Sequence, residues 1–175
     1  MQDFAFVEAL AGLVGSAIAD ATTMAEKRRL TSFLATLTGE ENDYFERSFD
    51  ALAVPEEEWT NPKLLPVTQS LEDLFVRATH QGGYAESLAV LLPAEWVYLT
   101  WATAHADATP KRFYHDEWIS MHATPEFTAF VEWLRTQVDE CGRTLSPRRK
   151  ERVRRLFTRT VDLEVDFFDA AYDQV

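Results

Sequence analysis

The chain contains one cysteine, six glycines and seven prolines in 175 residues, and it lacks the features of several common protein classes. With Cys141 as its single cysteine, it has no internal disulfide and no metal site built from several cysteines. No run of about 18 apolar residues occurs, so no membrane-spanning helix is predicted. The N-terminus has no basic region followed by an apolar stretch, so we predict no secretory signal and expect a cytoplasmic location.

Basic residues are also scarce. The chain has 17 Lys and Arg against 29 Asp and Glu, which gives a net charge of -12. This excess of acids disfavours nucleic acids and anionic membranes as partners. The arginines concentrate between Arg143 and Arg159, and we interpret that segment as a solvated face that pairs with acids elsewhere.

Several catalytic motifs are absent. The sequence has neither a phosphate-binding glycine loop nor a dinucleotide-binding fingerprint. None of its four histidines follows a Glu by three residues, as the ligands of di-iron helical bundles do. We therefore expect no metal and no cofactor. Cys141 has no neighbouring base in the sequence and is predicted to be an inert, partly buried thiol.

Apolar residues recur at helical spacing along most of the chain, and no alternating strand pattern appears. We predict an all-α single domain over residues 1–175. The predicted helices cover residues 2–22, 24–37, 41–52, 68–80 and 86–105. Two more are predicted to start at Pro125 and Pro147, after the capping residues Thr124 and Ser146. The proline-rich segment 54–66 is predicted to be a non-helical connection, and Pro93 is expected to kink or restart its helix. Gly12 and Gly15 are expected to allow close packing of the first helix.

Three acids interrupt apolar helical faces, namely Asp3, Glu95 and Glu164. Burying an unpaired carboxylate costs several kcal/mol, so each acid must be protonated, paired or directed into a polar pocket. Three such acids on separate helices indicate a shared polar cavity inside an apolar bundle. Two simpler interpretations remain open: Glu164 pairs with an arginine or a backbone group, and Asp3 caps the first helix.

Four sequence blocks resemble the TenA (thiaminase II) family. They are Gln-Asp-Phe at residues 2–4, Leu-Leu-Pro-Ala-Glu-Trp-Val-Tyr at 91–98, the segment 114–127 with Trp118-Ile119, and residues 163–172 from Leu-Glu to Ala-Tyr. The resemblance implies an all-α bundle of the haem oxygenase type that binds no haem and hydrolyses aminopyrimidines related to thiamine. Family members usually have a helix or more before the Gln-Asp motif, where this chain begins. Either the start is wrongly assigned, or the bundle lacks that helix and its cavity is more open. The resemblance also implies a homo-oligomer, a dimer or a tetramer.

The resemblance also assigns roles to individual residues. Asp3 resembles the acid that holds the pyrimidine nitrogen and amino group, and Glu164 resembles the acid that protonates the leaving amine. The predicted aromatic wall consists of Tyr98, Trp118 and Phe167, and the predicted substrate-binding set also includes Phe6, Leu71 and His122. A flat aminopyrimidine presents N–H donors that a buried carboxylate can accept, which agrees with the pattern of acids and aromatics.

The sequence departs from the cysteine-type members at three positions. Ala94 stands where those members have the nucleophile, with Glu95 beside it, so Glu95 is the candidate catalytic partner of Glu164. Leu71 and His122 replace two tyrosines of that pocket, so a formylated aminopyrimidine is as good a candidate substrate as thiamine. The alternative function is a non-catalytic pyrimidine-binding or regulatory protein. A purely structural bundle is a third, weaker hypothesis.

Overall fold

The computed structural model describes residues 1–172, and these residues form nine helices and no strand. The helices are α1 Gln2–Asp20, α2 Met24–Thr38, α3 Glu40–Ala51, α4 Glu56–Thr60, α5 Pro66–Gln81, α6 Tyr84–Ala104, α7 Phe113–His122, α8 Pro125–Thr144 and α9 Pro147–Tyr172. The all-α prediction is confirmed.

Local signals in the sequence explain several helix starts. The Thr23 side chain accepts a hydrogen bond from the Glu26 backbone N–H, and the Glu26 carboxylate accepts one from the Thr23 N–H. This reciprocal capping box fixes the start of α2. Thr124 caps α8 in a similar way by accepting from Phe127 N–H, and Pro125 follows it at the first helical position, where no backbone donor is needed.

Helix α6 is the centre of the bundle. It packs against α1, α5, α7, α8 and α9, and every residue from Ala85 to Glu95 is buried. A helix that is buried all round has no polar face, so its two acids, Glu86 and Glu95, both lie inside the protein. This arrangement brings the middle of α6 against the start of α1 and the second half of α9.

By length and composition alone, α1 is the one helix among residues 1–172 that is long and apolar enough to cross a membrane, with a mean hydropathy of 1.3. The core helix of a protein that does not enter a membrane can have the same length and composition. In this structure α1 packs along α5, α2 and α6, and its buried side chains include Phe6, Leu10 and Leu13 in the hydrophobic core.

Two local expectations need correction, and a third is narrowed. Residues 54–66 do contain a helix, the five-residue α4, which fits between Pro55 and Pro62 because Pro55 occupies the N-cap, where no N–H is required. Helix α6 continues through Pro93, so the helix does not restart there, and the expected kink stays a prediction. A Cβ atom added at Gly12 or Gly15 would meet nothing within 4 Å, so these glycines are not sites of close helix packing.

Two contacts fix α7 against α3. The Tyr44 hydroxyl donates a hydrogen bond of 3.0 Å to the backbone carbonyl of Tyr114, and Arg47 forms a two-pronged ion pair with Glu117. These contacts hold the aromatic residues of α7 over the end of the bundle where α1 begins.

Candidate active site

The three acids singled out in the sequence lie on three packed helices: Asp3 on α1, Glu95 on α6 and Glu164 on α9. Glu164 is 1% exposed and Glu95 is 7% exposed, while Asp3 as a whole residue is half-buried. The negative charges of Asp3 and Glu164 both act on Glu95, and that of Asp3 acts on Glu164. The three carboxyl groups are therefore close enough for the charge of one to affect the protonation of another.

Glu164 is the most unusual of these side chains. Both of its carboxyl oxygens are fully buried, and neither has a hydrogen-bond partner among the residues that the structure describes. Within residues 1–172 no arginine or backbone N–H donates a hydrogen bond to it, so the interpretation in which Glu164 only pairs with a basic or backbone group does not describe this structure. A buried, unpaired carboxyl group is costly, and a bound polar ligand would relieve that cost.

Burial and mutual repulsion favour the protonated forms of these acids. Burial raises the pKa of Glu164 to about 8, and the charge of Asp3 adds to this effect. Burial also raises the pKa of Glu95 well above 4.5, and nearby negative charges raise it further. Carboxyl groups in such an environment can give or take protons near neutral pH.

A fourth acid, Glu41 on α3, belongs to the same cluster. Burial raises the pKa of Glu41 to about 8, again with a contribution from Asp3, and the charge of Glu41 raises the pKa of Glu95. Sequence reasoning missed Glu41 because it lies in the acidic first turn of α3, which is typical of an exposed helix start. Its spacing was the available signal: Glu41 precedes the buried Tyr44 and Phe45 by three and four residues.

Asp3 makes a specific contact rather than a cap. Helix α1 has no side-chain cap hydrogen bond, and the Tyr98 hydroxyl donates to Asp3 Oδ1 across 2.7 Å. Burial raises the pKa of Asp3, and the hydrogen bond from Tyr98 partly offsets that rise. The capping interpretation of Asp3 is therefore wrong for this structure.

An aromatic wall surrounds Tyr98. Its ring centroid lies 5.6 Å from that of Trp118 and 5.3 Å from that of His122, and Phe168 meets it edge-on at 5.9 Å. Trp101 lies 6.1 Å away and packs on Phe168. We call Tyr98, Trp101, Trp118, His122 and Phe168 the aromatic wall. Trp101 and Phe168 were not predicted, although Trp101 follows Tyr98 by three residues on the same helical face.

The other predicted substrate-binding residues lie deeper. Phe6 contacts Phe167 with ring centroids 5.4 Å apart and also meets Phe75 in the core. Phe167 joins this group to the aromatic wall through Phe168, at 5.3 Å. Leu71 is fully buried in the hydrophobic core. The substrate-binding roles of Phe6, Leu71 and Phe167 remain predictions.

The cluster is suited to organic ligands that carry N–H donors or positive charge. Four acids close together favour bound protons or a cationic partner over four bare carboxylates, and the aromatic wall offers flat faces to a ring. No group of three His, Cys, Asp or Glu side chains within residues 1–172 is placed to hold a metal ion.

Two surface clefts lie apart from this cluster. One, of about 550 Å³, runs between α5 and α9 and includes Arg77, His80 and Arg159. The other, of about 850 Å³, lies beside the start of α1 and includes Gln2 and Lys63. None of the four clustered acids lines either cleft, so the unpaired carboxyl oxygens of Glu164, rather than an open groove, identify the candidate site.

Comparison with known proteins gives a consistent result. A family model described as the TENA/THI-4/PQQC family matches residues 1–174. A protein of Halalkalibacterium halodurans named aminopyrimidine aminohydrolase is 28% identical, over 98% of this chain and 75% of its own length. A Helicobacter pylori protein of the same name is 23% identical, over 98% of this chain and 80% of its own length.

Solved structures of the same fold also match. A TenA homologue from Pyrococcus furiosus superposes with a TM-score of 0.85 at 19% identity, covering 98% of this chain and 80% of that one. A structure from Silicibacter, described as a TenA family transcription regulator, has a TM-score of 0.83 at 20% identity, covering 97% and 77%. These similarities show that the chain has the same helical fold.

Proposed function

The chain belongs to the TENA/THI-4/PQQC family, and from that premise we propose that it is an aminopyrimidine aminohydrolase whose active site is the cluster of Asp3, Glu95 and Glu164. The observation that carries the proposal is Glu164, whose two buried oxygens lack a partner in the described residues. The two relatives named for this activity support it.

Asp3 is proposed to bind the aminopyrimidine ring. Tyr98 occupies Oδ1 of its carboxyl group, which leaves Oδ2 to accept an N–H from the amino group on the ring. The aromatic wall covers the flat face of the ring, since aromatic faces pack well on heteroaromatic ones. This arrangement holds the substrate's aminomethyl arm among the remaining acids.

Glu164 is proposed to protonate the departing amine. Because burial raises its pKa to about 8, it carries a proton at neutral pH and can donate it as the C–N bond breaks. The oxygen of a water molecule forms the new bond to the methylene carbon. The products are the hydroxymethyl pyrimidine and ammonia.

Glu95 is proposed to accept the proton from that water molecule. Burial raises the pKa of Glu95, which opposes this role. The proton that Glu164 gives to the amine makes the amine cationic, and this positive charge favours the carboxylate form of Glu95. Near and above pH 8, where Glu41 ionises, its charge also acts on Glu95.

No cysteine takes part in this proposal. Ala94 follows Pro93 directly, and Cys141 lies on α8, where burial raises the pKa of its thiol. The charged groups that act on Cys141 are Glu26, Glu140, Arg149 and Glu86. None of them belongs to the acidic cluster, so Cys141 is remote from the proposed chemistry.

The test is incubation with an aminomethyl-aminopyrimidine, with ammonia release and ligand binding measured in parallel. The proposal predicts release by the wild type and loss of release in Glu164→Gln, while Asp166→Asn, an exposed acid on the same helix, behaves as wild type. Binding without release would favour the non-catalytic pyrimidine-binding alternative. Neither binding nor release would refute both.

A further inference from the structure

His122 lies at the end of α7, within the aromatic wall. It is 6% exposed, and its ring is 4.7 Å from that of Trp118 and 5.3 Å from that of Tyr98. Phe127 meets it edge-on at 5.3 Å. Contacts with three rings fix the orientation of the imidazole, so its two nitrogens have defined directions.

One of these nitrogens has a fixed hydrogen-bonding role. His122 Nδ1 lies 2.8 Å from the backbone carbonyl oxygen of Trp118. A carbonyl oxygen only accepts, so Nδ1 must carry the proton and donate it. Burial lowers the pKa of His122, although the Trp118 hydrogen bond opposes this, and the ring is accordingly neutral near pH 7. In that neutral tautomer Nε2 has no proton and acts only as an acceptor.

The acceptor nitrogen is available to a ligand. Nε2 of His122 makes no hydrogen bond to any residue that the structure describes, and it is not among the fully enclosed polar atoms that lack a partner. Part of the surface of Nε2 is therefore exposed, and no donor of the described residues occupies it. The proposed site then has two fixed hydrogen-bond acceptors in addition to the clustered glutamates, namely Asp3 Oδ2 and His122 Nε2.

We infer that His122 is a specificity-determining residue, whose Nε2 accepts a hydrogen bond from the ring amino group of the substrate. This inference rests on the proposed function and deepens it. Asp3 and His122 then accept the two N–H groups of that one amino group. A ring with a methyl group in place of the amino group leaves Nε2 buried without a donor, and that loss disfavours binding.

The experiment combines two ligands with three forms of the protein. The ligands are an aminomethyl-aminopyrimidine and its analogue in which a methyl group replaces the ring amino group. Calorimetry gives the Kd of each for the wild type, His122→Phe and His122→Gln. Phe keeps a flat ring without an acceptor, whereas Gln places an amide oxygen near the position of Nε2.

The expected result is a preference of the wild type for the amino ligand that falls about five- to tenfold in His122→Phe. In His122→Gln the preference returns to within about threefold of the wild type. The matched control is His115→Phe, an exposed histidine of the same helix, which keeps the full wild-type preference.

Equal preferences in the wild type and His122→Phe would overturn the inference, as would the same loss of preference in His115→Phe. Failure of the proposed function looks different, because the wild type would then bind the amino ligand without releasing ammonia and the preference could still be measured. A wild type that binds neither ligand overturns both.

Discussion

The Tyr98 hydroxyl donates a hydrogen bond of 2.7 Å to Asp3 Oδ1 and so joins the first turn of α1 to the second half of α6. This contact links the acidic cluster to the aromatic wall, because the Tyr98 ring is the member that the other wall residues surround. It also orients the Asp3 carboxyl group, which we propose binds the ring.

Replacing Tyr98 by Phe is expected to weaken aminopyrimidine binding. The ring that packs in the wall remains, but Asp3 loses the donor that favours its carboxylate form. One hydrogen bond to a charged group contributes about 1.5–3 kcal/mol, so Kd for the aminopyrimidine should rise about tenfold or more. Calorimetry measures this directly.

The control for this change is Tyr84→Phe. The Tyr84 hydroxyl bonds to Gln137 at 3.2 Å, outside the acidic cluster, so its loss should leave Kd unaltered. If both variants lose affinity to the same extent, the weaker binding of Tyr98→Phe does not come from the loss of the Tyr98–Asp3 hydrogen bond.

Glu164→Gln is expected to stabilise the folded protein at high pH. The pKa of Glu164 is about 8 in the folded state, whereas the ordinary pKa of a glutamate is 4.5. The protonated Glu164 side chain therefore contributes fully to the free energy of unfolding below pH 4.5, and this contribution is lost as the pH rises through 8. Gln does not titrate. The variant should match the wild type at pH 4.5 and exceed its free energy of unfolding by about 2 kcal/mol or more at pH 9.

Urea denaturation at the two pH values measures this difference. Asp166→Asn on the exposed face of α9 should show no comparable divergence between pH 4.5 and pH 9. Parallel stability curves for Glu164→Gln and the wild type would mean that the Glu164 carboxyl is not buried as described.

Glu41→Gln is expected to change the ammonia-release profile only near and above pH 8. The pKa of Glu41 is about 8, so its charge, which raises the pKa of Glu95, is present only as the pH approaches and passes that value. Removing this charge lets the proposed base lose its proton more readily there, so the variant should retain a larger fraction of its maximal rate than the wild type above about pH 8 and the same fraction at pH 6. Glu40→Gln, an exposed neighbour, serves as the control, and identical profiles for Glu41→Gln and the wild type would exclude Glu41 from the site.

Arg149→Ala is expected to destabilise the fold without acting on the proposed chemistry. Arg149 donates two hydrogen bonds to Glu86, at 3.1 and 2.7 Å, and Glu86 is 2% exposed while Arg149 is half exposed. Removing Arg149 leaves a buried carboxylate unpaired, so the free energy of unfolding should fall by about 2–3 kcal/mol.

Arg154→Ala provides the matched comparison for that loss. Its ion pair with Glu151 lies on the surface of the same helix, with both partners exposed, and exposed pairs contribute little. If both substitutions lower the free energy of unfolding equally in urea denaturation, the burial of Glu86 does not increase the stability that its ion pair with Arg149 contributes.

Much of the fold follows from local signals that the sequence displays. Thr124-Pro125 and Ser146-Pro147 mark helix starts, and both helices begin at those prolines. The prolines of residues 54–66 were misleading, because α4 needs only five residues and accepts Pro55 at its N-cap. The gap between two prolines determines whether one helical turn fits, and composition alone does not reveal it.

The site was less predictable than the fold. Glu95 and Glu164 stand out because each interrupts an apolar face, whereas Glu41 is hidden in a run of ordinary first-turn acids. The Tyr98–Asp3 hydrogen bond and the Arg149–Glu86 ion pair join residues 95 and 63 positions apart. Such contacts depend on how helices pack, which helical periodicity does not specify.

The most direct test of the central claim is a crystal structure of the protein soaked with an aminomethyl-aminopyrimidine. We predict that the ring lies against Tyr98 and Trp118, with an N–H within hydrogen-bond distance of Asp3 and the aminomethyl nitrogen beside the Glu164 carboxyl group. A ring bound in either surface cleft, with Asp3 and Glu164 untouched, would contradict the proposed active site.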